Sequence, residues 1–226
     1  MASHLDLEEQ EQLEQFKAFW NRFGNLILWV LLIVLSGYAA WNGWQWWQRD
    51  QAAKAGGVYD ELERAVQAGD ADRAGKVFAD LQSRYPSTAF AEQGGLLAAK
   101  AQSDKGQADA ARTTLEWVAS QAREDEYRAI AKLRLAALKL EAKQPDEALR
   151  LLDGLPESFA ALAADRRGDI LLAKGQRAEA LAAYQQAWKG LDEGADYRRL
   201  VEAKLVSLGA APEGGTPAAA AEGASK

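Results

Sequence analysis

Carboxylates are the only chemically capable side chains that cluster in this chain. Glu124, Asp125 and Glu126 form one group; Asp192, Glu193 and Asp196 form another. Paired carboxylates can share a proton or hold a hard cation, which is acid–base or metal chemistry. Both groups, however, fall where a helix is expected to start, and negative charge there suits the helix dipole. Nothing nearby completes a reactive constellation. The chain has no cysteine, which excludes disulfides, thiolate ligands and a cysteine nucleophile. Its single histidine, His4, stands near the N-terminus, so neither a Ser–His–Asp relay nor a histidine-held metal is expected. The phosphate-loop, zinc-protease and serine-hydrolase motifs are all missing. The expectation is a non-enzyme without metal or cofactor. Lys and Arg total 27 against 33 Asp and Glu, a net charge of −6 with no basic stripe, so no nucleic-acid partner is expected.

The elements explain more than the reactive groups do. Residues 23–48 read FGNLILWVLLIVLSGYAAWNGWQWWQ and carry no formal charge until Arg49. At a helical rise of about 1.5 Å per residue, 23–44 spans about 33 Å, enough to cross a bilayer core. Phe19 and Trp20 flank one end; Trp41, Trp44, Trp46 and Trp47 crowd the other, as aromatic side chains do at headgroup depth. This predicts a retained single-pass membrane helix in contact with lipid. Its flanks do not orient it: Lys17 and Arg22 on one side balance Arg49 and Lys54 on the other. Gly37, Ala40, Trp41 and Trp44 share one helical face. They form either a packing face for another membrane helix or part of a lipid-facing belt.

Before the anchor lies an acidic tail, 1–22, in which a short helix is expected over 5–19. After Gly56–Gly57 the apolar pattern becomes that of soluble helices, with polar turns every dozen or so residues. The turns carry an internal repeat: GDADRA (69–74), GQADAA (106–111), KQPDEA (143–148) and GQRAEA (175–180). The closing alanines, Ala74, Ala111, Ala148 and Ala180, are spaced close to the tetratricopeptide period of about 34. Gly168, Leu171, Gly175, Ala180, Tyr184 and Ala187 follow that repeat's small/large signature, and the first unit supplies Phe78 and a closing Pro86. The middle units are degenerate, with Gly95 and Ala99 crowding the second and Pro145 replacing a turn residue in the third. The expected fold is all-α: one transmembrane helix, then a tetratricopeptide-like solenoid of about four helical hairpins over 49–208 with a capping helix at 197–208. The Ala/Gly/Pro-rich tail 209–226 holds nothing large to bury and is expected to be disordered.

A solenoid offers a concave face made by the first helix of each pair. The repeat register puts Tyr59, Glu63, Leu96, Lys100, Leu133, Ala137, Asp165 and Asp169 there, a candidate groove for a partner peptide or helix. The competing reading is that these residues pack against the chain's own capping helix.

With these features assembled, the chain resembles the YfgM family, ancillary subunits of the bacterial SecYEG translocon. The resembling phrases are the acidic N-terminus, GYAAWNGWQWWQ, KLRLAALKLEAKQPDEALRLLDGL (132–155) and ADRRGDILLAKGQRAEALAAYQQA (164–187). The resemblance implies a bacterial inner-membrane protein with its N-terminus in the cytoplasm and its repeat domain in the periplasm. It also implies association with the translocon and with a membrane-anchored periplasmic chaperone of prolyl-isomerase type, in the handling of newly exported proteins. Two other functions fit a membrane-anchored repeat module: a scaffold for outer-membrane or cytochrome assembly, and a regulatory subunit restraining a stress-signalling protein.

Overall fold

The computed structural model describes residues 7–212. Among them are nine α-helices, one short 3-10 helix and no strand. The chain divides into two compact units, residues 1–53 and 54–226.

The first unit is the greater part of α1, which runs Leu7–Gln67. The helix expected over 5–19 is therefore not a separate element. No proline interrupts α1 and charged residues change to apolar ones without a turn signal, so the helical hydrogen bonds simply continue. The apolar run inside it is almost wholly uncovered. Leu26, Ile33 and Tyr38 are 64%, 66% and 68% exposed. By length and composition this run can cross a membrane. Gly37 has open space around it, and the rings of Trp44 and Trp47 lie 5.3 Å apart.

The second unit begins with the last turns of α1, which continue through Gly56–Gly57 rather than breaking there. Residues 54–67 pair with α2 (Ala71–Arg84); α3 (Ala89–Asp104) pairs with α4 (Ala108–Gln121). The next two pairs are α5 (Asp125–Glu141) with α6 (Pro145–Leu151), and α7 (Ala160–Ala173) with α8 (Arg177–Gly190). Helix α9 (Asp196–Ser207) closes the stack.

One loop chemistry makes every hairpin. The second residue past the first helix sits in the left-handed region: Gly69 at φ 69°, Gly106 at 74°, Lys143 at 60° and Gly175 at 78°. Its amide bonds back three residues and the next amide bonds back five, as in Lys143 N to Leu140 O and Gln144 N to Lys139 O at 2.9 and 2.8 Å. That pair of bonds satisfies carbonyls the helix end would leave open. Glycine takes the required angles without a Cβ penalty; Lys143 takes them at a cost. Pro145 does not replace a turn residue: it opens α6 as the first helical residue, where its missing N–H was unpaired in any case.

The repeat alanines then mark where the second helix of each pair meets its neighbours. Ala74, Ala111, Ala148 and Ala180 are all 0% exposed. Phe78 and Leu81 fill the first hairpin, Leu115, Val118 and Leu135 the second, Ile170 and Leu152 the third, and Tyr184, Ala187 and Val201 the last. Leu171 packs partly buried against that last cluster, and Pro86 stands exposed in the turn after α2. Gly95 is a close-approach point rather than a defect: a Cβ there would lie 2.4 Å from Val118 Cγ2. Gly168 serves the same purpose, since a Cβ there would lie 2.4 Å from the ring of Tyr184.

Candidate protein-interaction groove

The eight residues expected on the face of the first helices meet different fates. Tyr59 is half-buried with its ring 5.5 Å from that of Phe90; burial, then the neighbouring Glu63, pushes its pKa up. Glu63 is exposed. Leu96 is buried among Leu115, Val118 and Leu135, and Leu133 packs half-buried against the third hairpin's core. Both leucines point inward, because α3 and α5 are each clasped by helices on two sides.

Lys100 and Ala137 are brought together. They line a cavity of about 490 Å³ between α3, α5 and α7. Its apolar surface is Ala137 and Leu138, with the almost wholly buried Ala99 and Leu115 beside them, and its charged groups include Arg134, Glu141 and Arg166. Lys100 is held by Asp104 at 2.5 Å. Arg166 reaches Asp169 at 3.3 Å, and Arg134 donates from Nη1 to the carbonyl of Leu96 at 2.8 Å. The Arg134 side chain reaches solvent, yet the surrounding walls desolvate its guanidinium enough to lower its pKa.

Asp165 and Asp169 are brought together as well, by α9. Asp165 is 0% exposed and accepts from Tyr197 Oη at 2.6 Å and from Lys204 Nζ at 2.8 and 2.9 Å. Lys204 also donates to Asp169 at 2.7 Å, and the Tyr184 hydroxyl donates to Asp169 at 2.8 Å. Burial first and the aspartates second raise the pKa of both tyrosines. Asp165 and Asp169 are thus taken up by the capping helix, whereas Lys100 is exposed and Ala137 half-buried at the cavity.

Arg134, Arg166, Tyr197 and Lys204 did not emerge as groove residues from the repeat register. Arg134 had a signal, because it stands three residues before Ala137 and so shares its face. Lys204 had none, since its partner Asp165 lies 39 residues earlier. Among the described residues no group of histidine and carboxylate side chains could hold a metal ion.

The model of the tetratricopeptide repeat-like domain family matches residues 17–210. A Neisseria gonorrhoeae protein named "Ancillary SecYEG translocon subunit" is 32% identical over 210 residues, covering 92% of this chain and 100% of that protein. The chain belongs to this family. Members with the same name from Haemophilus influenzae and Escherichia coli are 31% and 29% identical, each covering 80% of this chain and 89% and 87% of their own lengths. The family match includes both the apolar part of α1 and the hairpin stack, so the anchor and the repeat domain are one family architecture.

Proposed function

We propose that this chain is a single-pass inner-membrane protein whose helical-repeat domain is a non-catalytic interaction module at the Sec translocon. The observation that carries this reading is the full-length match to relatives named for that translocon. The module binds a membrane-anchored periplasmic chaperone of prolyl-isomerase type and assists newly exported proteins. Its N-terminus lies in the cytoplasm and its C-terminal domain in the periplasm. Residues 1–22 form the cytoplasmic tail, 23–48 the anchor, 49–208 the repeat domain and 209–226 a periplasmic tail. Gly37, Ala40, Trp41 and Trp44 are the face offered to another membrane helix.

Physical economy supports this arrangement. Confining two proteins to one membrane raises their effective concentration, so a shallow groove suffices where a free module would need a larger interface. Purification of the full-length protein in mild detergent, with partners identified by mass spectrometry, tests the reading. Translocon subunits and a periplasmic chaperone are expected. Outer-membrane or cytochrome assembly factors in their place would overturn it.

A further inference from the structure

Charge in the open part of the groove is unevenly satisfied. Of the three cations around the cavity, Lys100 has Asp104 and Arg166 has Asp169. Arg134 has, among the described residues, a carbonyl but no carboxylate. Glu141 stands at the same wall, and among the described residues no ion pair joins it to Arg134, on which only desolvation acts. Beside it lies an apolar floor of Ala137 and Leu138, both half-buried, next to the buried Ala99 and Leu115. A guanidinium offers a planar fork of donors that fits a carboxylate, and desolvation strengthens the bond it makes. The floor has room for an aliphatic side chain, within the volume range of ordinary binding sites.

We propose that this pocket takes an acidic segment of a partner protein, with a carboxylate on Arg134 and an adjacent aliphatic side chain on the floor of Ala137 and Leu138. The proposal rests on the reading of the repeat domain as an interaction module and specifies the chemistry of what it binds. The contact of α7 with α9 shows the pattern with its signs exchanged. There the groove side supplies the carboxylates of Asp165 and Asp169, and α9 brings Lys204 as the cation with Val201 and Leu205 as its apolar side. Helix α7 thus already holds one helix by a charged bond beside an apolar contact.

The test uses the full-length protein in phosphatidylcholine nanodiscs and a fluorescein-labelled 12-residue peptide of Leu, Ala and Glu, with Gln and Lys counterparts and protein-free discs as the blank. Anisotropy is expected to show the Glu peptide binding about tenfold tighter than the Gln peptide, as one charge-assisted hydrogen bond allows. Arg134→Gln is expected to abolish that preference. Because Arg134 also bonds Leu96, Lys100→Gln provides a second variant at an exposed position and is expected to reduce the preference with the thermal melt unchanged. Equal affinity for the three peptides, or a preference that survives in Arg134→Gln, overturns the proposal. A tenfold gain in affinity on removing residues 213–226 would also overturn it, because the chain's own tail would then be the occupant. The co-purification result is separate: a preference for the Glu peptide without translocon subunits in the purification would keep the pocket and discard the Sec reading.

Discussion

Gly168 and Lys143 show how single positions set the repeat. At Gly168 an added methyl would meet the Tyr184 ring at 2.4 Å. That ring cannot step aside, since it is 2% exposed and its hydroxyl is bonded to Asp169. Gly168→Ala is expected to lower stability by about 1–3 kcal/mol in urea denaturation, the usual cost of overpacking. Lys143 is the opposite case. It alone among the four hairpin turns holds a Cβ in the left-handed region. Lys143→Gly is expected to raise stability by up to about 1 kcal/mol in the same measurement, as strain relief outweighs the added freedom of the unfolded chain. Gly168 was legible in the sequence because small residues at helix crossings recur with the repeat. The strain at Lys143 was not, because KQPDEA looks irregular at its proline while the proline is in fact well placed.

At the scale of elements, α9 is tied down by Asp165 as well as by its buried Val201 and Leu205. Lys204→Met would leave a wholly buried carboxylate without its cation, and about 3–5 kcal/mol of stability should be lost. Tyr197→Phe removes one hydrogen bond to the same charge, at about 1.5–3 kcal/mol. The tyrosines also give α9 a pH signature. Both have pKa values raised above the ordinary value of 10.0 in the folded chain. Below pH 10 both states keep the phenolic protons and nothing changes. As pH rises beyond that, the unfolded chain ionises first, so stability falls. Thermal melts between pH 9 and about 11 should show this alkaline loss, and Tyr197→Phe should flatten it. The repeat register placed Asp165 and Asp169 on the concave face from local spacing alone. What fills that end is a helix supplied from far along the chain, which no local period encodes.

For the whole molecule, an apolar helix segment that nothing covers precedes a stack whose helices cover one another. The repeat domain has its own core from Ala55 to Leu205, so removing residues 1–48 should leave a soluble, helical protein. Circular dichroism and size-exclusion chromatography check this, and an aggregated product would contradict it. The anchor, the four turns and the repeat alanines were legible because each follows from a physical necessity: bilayer thickness, a left-handed turn residue, a close helix crossing. The open pocket was only half legible: Lys100 and Ala137 lie on the predicted face and Arg134 shares the helix of Ala137, but Arg166 reaches the cavity from α7.

The central claim is that an open groove is carried on a membrane anchor beside the export machinery. Photo-crosslinking in intact membranes, with a photoreactive residue at Ala137 in one sample and at Trp44 in another, tests it most directly. An adduct from Trp44 to a membrane subunit of the translocon is expected, with an adduct from Ala137 to a partner's periplasmic segment that weakens in Arg134→Gln. Adducts from Trp44 with none from Ala137 would contradict the groove as the binding surface.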